Sequence, residues 1–104
     1  MTEPDAAGAA PEQELQVVRN DELSRYEGRL AGQLTSVVDF RRRGEVVVVT
    51  HTGTEPQWRG RGLAGEITRL ALADIRSQGL RVQPVCPYTA AYLDSHPEVA
   101  DLRA

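Results

Sequence analysis

Between residues 50 and 80 the chain gathers groups able to hold an anion. Arg59-Gly60-Arg61-Gly62 stands directly before a run in which Leu63, Ile67, Leu70, Ala71 and Asp74 recur at helical spacing, with Ala64 and Ile75 at the margin. The first turn of a helix leaves its N–H groups without intrahelical partners, and the aligned peptide dipoles put partial positive charge there. Glycine at 60 and 62 removes the Cβ atoms that would keep a phosphate off those amides, and the two arginines add permanent charge. A phosphorylated ligand suits that chemistry. A tight turn flanked by solvated arginines is the alternative reading of the same four residues.

Two further side chains carry reactive chemistry. An unperturbed imidazole titrates near neutrality, and His51 ends a valine-rich strand, where it serves either as a general base or as a hydrogen-bonding prop for the loop. Cys86 is the single cysteine, which excludes an internal disulfide or a cysteine-rich metal centre and leaves a nucleophile or a small apolar filler. His51 and His96 are far apart with no matching carboxylates, so no metal site is expected.

Composition narrows the classes. All twelve basic residues are arginine, so a Walker-type phosphate loop and a Schiff base to pyridoxal phosphate are both ruled out for want of lysine. The net charge of -3 argues against nucleic acid as a partner. No apolar run reaches membrane-span length and no secretion signal is visible, so no membrane partner is expected and the cytoplasm is the expected compartment. A chain of 104 residues makes one domain with a modest core.

The elements that must position these groups follow from periodicity. Residues 1–13, rich in Ala, Glu and Pro, predict a disordered tail, and 14–104 a single folded domain. Leu15–Arg19 predicts a short strand and Asn20-Asp21 a turn. Glu22–Glu27 then leads through Gly28 into a long strand whose Leu30, Gly32, Leu34, Ser36, Val38 and Phe40 share one face. Arg41-Arg42-Arg43-Gly44 predicts a solvated turn. Glu45–Thr50, apolar on both faces, predicts a central strand. After the helix, capped by Gly79, come a last strand over Leu80–Val85 restricted by Pro84, a short helix over Thr89–Ser95 and a tail to Leu102. The fold class is α+β: a mostly antiparallel sheet, one main helix after strand 4, and a fifth strand running parallel to the fourth after a right-handed crossover.

Gly60, Gly62 and Gly65 also spell G-x-G-x-x-G. A dinucleotide fold fails on context: nine residues separate Thr50 from Gly60, and Leu80–Val85 carries no acid to meet a ribose.

Gln57-x-x-Gly60-x-Gly62 followed by Leu63-Ala64 resembles the pyrophosphate loop of the GNAT N-acetyltransferases. His51-Thr52, Arg59-Gly60-Arg61-Gly62-Leu63-Ala64, Pro84-x-Cys86-x-Tyr88 and Tyr92-Leu93-x-x-His96-Pro97, in that order, are similar to the small single-domain subgroup of that family, over about Leu15 to Leu102. The resemblance implies a minimal GNAT fold with splayed strands 4 and 5. It implies acetyl-coenzyme A as the acetyl donor, its pyrophosphate held by Gln57 and by Arg59, Gly60, Arg61, Gly62, Leu63 and Ala64, and its pantetheine arm lying along His51, Thr52, Gly53 and Thr54. Tyr92 then stands where many members carry the tyrosine that protonates the coenzyme thiolate, with packing of its ring as the alternative and Tyr88 as a weaker candidate for the same role, and Cys86 stands near the thioester. Trp58 is a platform for the adenine or for packing.

The chain departs from the subgroup's pattern in two places. Gly53-Thr54 replaces a common Glu-Val, removing a carboxylate, and Pro87 replaces a common Ser beside the cysteine. With only Asn20-Asp21 between the first two strands, the acceptor side is expected to be shallow and open. The resemblance therefore implies transfer of acetyl to an unknown amine, small molecule or protein, by direct attack or through Cys86, in a monomer or weak dimer. The alternatives are a coenzyme A-binding module with little catalysis and, on the bare glycine motif, a nucleotide-binding regulatory domain.

Overall fold

In the computed structural model of the chain, which describes residues 14–104, five strands form one sheet in sequence order. These are β1 (Gln16–Asn20), β2 (Arg25–Leu30), β3 (Gln33–Arg43), β4 (Val46–Thr54) and β5 (Arg81–Pro84). The first four make an antiparallel meander, and β5 runs parallel to β4. Helix α1 (Leu63–Ser77) is the crossover between them, α2 (Pro87–Ser95) follows β5, and 3-10 turns occupy Pro56–Trp58 and Pro97–Leu102. This is the expected α+β architecture. The expected tail over residues 1–13 lies outside the described residues.

Local assignments differ from the sequence reading in four places. The long strand is two strands, reversed at Ala31-Gly32, whose φ values of 51° and 84° make the doubly left-handed corner that a two-residue hairpin requires. The arginine run is not a turn: Arg41, Arg42 and Arg43 pair with Val48, Val47 and Val46, and the reversal is left to Gly44 at φ 62°. Helix α2 starts at Pro87, which needs no N–H donor in a first turn, rather than at Thr89. Its following segment is a packed 3-10 turn ending in buried Leu102, not a loose tail. Gly79, at φ 72°, terminates α1 as expected.

One cluster joins Tyr26, Val38, Phe40, Val47, Val49 and Val82 of the sheet to both helices. The buried face of α1 is Ile67, Thr68, Ala71, Leu72 and Ile75, turned from the expected stripe so that Leu70 is only half-buried. Asp74 stays at its margin because Tyr26 donates to its Oδ2 at 2.6 Å, Gln78 at 2.7 Å and Arg19 at 3.0 Å. Burial, then the Asp74 carboxylate, push the Tyr26 phenol far above its ordinary value.

Alternation along the strands assigns the other residues to the outer face, away from α1. Arg25, Glu27 and Arg29 lie there on β2, and Asp39, Arg41 and Arg43 on β3. His51 on β4 and Arg81 and Gln83 on β5 complete it. At the far edge of β5, Arg103 pairs with Val82 in parallel, and the Ala104 amide donates to Val82 O at 2.7 Å.

Candidate functional site

The sheet opens where β4 outlasts β5. Their pairing ends at Val49 opposite Pro84, which has no N–H to carry the ladder further, and the Val85 and Cys86 amides both turn back to Val49 O at 3.0 and 2.9 Å. Thr50 has no register partner on β3, so a bulge falls where the strands part. From His51 to Thr54, β4 is paired, among the described residues, only with β3. Main-chain groups on a strand alternate between its two edges, so half of those over His51–Thr54 face the gap left by β5. The expected splay is present.

The glycine loop lies at the end of that gap. After the 3-10 turn the Arg59 amide donates to Pro56 O at 3.3 Å. The amides of Gly60, Arg61, Gly62, Leu63 and Ala64 have no acceptor among the described residues, and the first bond into α1 is Glu66 N–H to Gly62 O at 3.2 Å. Gly60 and Gly62 have φ of 79° and 76°, a left-handed conformation that other residues resist, and a Cβ on either would point into open space. That space is available to a ligand. Arg59 folds back to donate to Thr54 O at 3.3 Å, and the Arg61 guanidinium lies 4.8 Å above the Trp58 ring, so this face of Trp58 holds an arginine. Gln57 is exposed in the 3-10 turn. Beside the loop, Arg61, Gly62, Leu63, Glu66 and Arg69 line a hollow of about 530 Å³.

Cys86 stands at the other arm of the fork, as the residue before α2, and is buried. Its Sγ is 3.7 Å from Thr52 Oγ1, which is 3.5 Å from Thr89 Oγ1. Burial pushes the thiol up, but the Thr89 amide, the Thr52 hydroxyl, the Tyr88 amide and the Thr89 hydroxyl outweigh it, so the pKa falls below the ordinary thiol value. Thr89 was not among the sequence candidates. Its position three residues after Cys86, at the start of a helix, is the N-cap to N3 spacing and is a legible signal.

His51 is on the opposite side of β4 from Thr52, exposed, with its ring over Gly53: a Cβ there would lie 2.9 Å from His51 Nε2. It lines an outer-face groove of about 540 Å³ with Val37, Gly53, Glu55, Pro56 and Arg59. Tyr92 is elsewhere. Its ring stacks on His96 at 3.7 Å and lines a groove between the helices with Leu72, Arg76 and Val99. Burial, with the Glu98 carboxylate adding to it, raises the Tyr92 phenol above its ordinary value. Tyr88 is nearer the loop, its hydroxyl 3.4 Å from where a Cβ on Gly65 would be. The fold thus brings Cys86 to Thr52, and the loop to the end of β4, but it leaves Cys86 buried at the fork, His51 exposed on the outer face and Tyr92 in the groove between the helices. Among the described residues no group of three or more His, Cys, Asp and Glu side chains is arranged to hold a metal ion, and no helix is long and apolar enough to cross a membrane.

Residues 25–102 match the profile of the GCN5-related N-acetyl-transferases. The chain is also similar in structure to a GCN5-like protein from Staphylococcus aureus solved by NMR in solution, with a TM-score of 0.67 and 13% identity over 88% of this chain and 90% of the other. At that identity the likeness concerns the fold. No curated protein matches the chain.

Proposed function

Since the chain belongs to the GCN5-related N-acetyltransferase family, we propose that it binds acetyl-coenzyme A in the β4/β5 fork and transfers the acetyl group to an amine. One observation carries this reading: consecutive amides from Gly60 to Ala64 have no acceptor among the described residues, and a Cβ on Gly60 or Gly62 would meet nothing within 4 Å. A diphosphate supplies the missing acceptors, with Arg61 beside it.

Acetyl-coenzyme A, when bound, supplies an activated thioester. The chain's own contributions are binding, orientation and proton handling. The free edge of His51, Thr52, Gly53 and Thr54 pairs with an extended amide-bearing arm as a strand would, and one of its N–H groups is available to a developing oxyanion. His51, exposed on the outer face, takes the proton of an attacking amine. Two phenols are available to protonate a departing thiolate. Tyr92 retains its proton at neutral pH, and Tyr88 lies against the first turn of α1. Single Tyr→Phe variants decide between them.

The lowered Cys86 thiol favours a second mechanism. Its thiolate attacks the thioester carbon and displaces the coenzyme's sulfur, and the acceptor amine then displaces Cys86 and loses its proton. The rival without chemistry, a coenzyme-binding module, is favoured by Gly53-Thr54 and by the separation of the three candidate side chains.

Thermal unfolding tests the binding. A ligand at a hundredfold its dissociation constant adds about 2.7 kcal/mol of stability. Acetyl-coenzyme A is expected to stabilise the wild type, Gly60→Glu to abolish the shift, and NAD to give none. A wild-type protein indifferent to the coenzyme would overturn the reading. Release of free thiol on turnover separates the enzyme from the module, and acetylated protein detected by mass spectrometry in the wild type but not in Cys86→Ala selects the covalent route.

A further inference from the structure

The geometry points to an acidic polypeptide segment as the acceptor, delivered by its amine to the fork across the arginine-lined outer face of the sheet; this rests on the acetyltransferase reading above.

The fork is closed on one side. Toward the helices, Cys86, Thr52 and Thr89 meet at 3.7 and 3.5 Å, with Cys86 and Thr89 buried. On the outer face His51 is exposed above a 540 Å³ groove, so an amine reaches the gap from that side. The residues it passes are basic. Arg41 is opposite Val48, beside the start of the gap, is exposed and has no hydrogen-bond or ion-pair partner among the described residues. Among the described residues Arg43 donates only to the neutral amide of Gln83, and Arg81 only to the Arg103 carbonyl at 2.8 Å.

The acids on this face offset those charges only in part. Glu27 is buried, and its carboxylate is taken up by Arg25 at 2.9 Å and by Arg29 and Asn20 at 3.1 Å. Arg29 first, then Arg25 and Asn20, hold it below the usual carboxylate range against the opposing effect of burial. Asp39, opposite His51, and exposed Glu55, in the groove with Arg59, are the other acids, so Glu27, Asp39 and Glu55 stand against Arg25, Arg29, Arg41, Arg43, Arg59 and Arg81. The face is therefore positive on a chain whose net charge is -3.

Spacing distinguishes a polypeptide from a small acid. Arg43 is opposite Val46, five positions along β4 from His51, which is roughly 17 Å at the strand rise, and Arg81 is two strands across from Arg43, about 10 Å. A single carboxylate near the amine spans neither distance. An extended segment with acidic side chains over about five residues beyond its amine spans both. Like charge repels a lysine-bearing segment.

The test uses six-residue peptides with a free N-terminus and a C-terminal dye, bearing Glu, Gln or Lys after the first residue, in fluorescence polarisation with the intact chain. The Glu peptide is expected to bind roughly tenfold tighter than the Lys peptide, with the gap narrowing as salt is raised. Arg41→Glu with Arg43→Glu should reverse the order while the coenzyme thermal shift stays. Arg41→Gln alone, at an exposed side chain without partners, should weaken the preference even if the double variant fails to fold. Equal binding of all three peptides, a preference untouched by Arg41→Gln, or competition by free glutamate as strong as by the peptide would overturn the proposal. Glu-peptide binding in a protein indifferent to acetyl-coenzyme A would instead retire the acetyltransferase reading and the acceptor role with it, leaving a docking surface.

Discussion

At the scale of single residues, Cys86 carries the clearest consequence of its surroundings. Two amides and two hydroxyls lower its pKa despite burial, so its thiolate should persist below the pH at which an ordinary cysteine, with a pKa near 8.5, is protonated. The rate of alkylation by iodoacetamide against pH is expected to inflect below that value, and Thr52→Val, which removes one hydroxyl donor, to move the inflection upward. An inflection at or above the ordinary thiol value in the wild type would contradict the geometry. The sequence discloses that Cys86 is alone and follows a strand. It does not disclose the sign of the shift, because that depends on Thr52, 34 positions away, meeting it across the fork. The same limit applies to Tyr92, whose place in a motif says nothing of its stacking on His96.

At the scale of elements, the β2–β3 hairpin shows how a pattern can be read correctly and divided wrongly. A two-residue turn shifts the apolar phase by one, and here a bulge cancels the shift: Gly28 is opposite Ser36 and Arg29 opposite Leu34, leaving Thr35 without a partner. Tyr26 and Gly28 before the turn and Ser36, Val38 and Phe40 beyond the bulge therefore all face the core, and Tyr26 to Phe40 looks like one strand although Leu34, opposite Arg29, faces outward. Gly28 is required at that bulge, since a Cβ would meet Ser36 Oγ at 2.4 Å, Leu15 Cδ1 at 3.2 Å and Ile67 Cδ1 at 3.3 Å. Gly28→Ala is expected to cost roughly 1–3 kcal/mol by overpacking. Ala31→Gly, at a position with φ 51°, should stabilise by about 1 kcal/mol through relief of a left-handed alanine. Urea unfolding of the two variants reads both signs, and a Gly28→Ala variant as stable as the wild type would remove the close-approach account. The loop and α1 were legible because glycine, arginine and helical spacing are local signals. The arginine run was misplaced because charge suggests a turn, whereas the valines opposite it decide for a strand.

At the scale of the whole molecule, one sheet and one core were predictable from the alternation of short apolar segments around a single amphipathic helix. The rotation of α1 was not, because Thr68 and Leu72 replace Leu70 at the interface only once the helix packs on this particular sheet. Arg103 and Ala104 lie along Val82 beyond β5. Those two positions occupy main-chain groups that another copy's strand would otherwise satisfy. A variant lacking residues 103 and 104 is expected to grow in apparent mass with concentration in light scattering while the parent does not. A short stretch of backbone at one rim would thus help keep copies of the chain from stacking edge to edge.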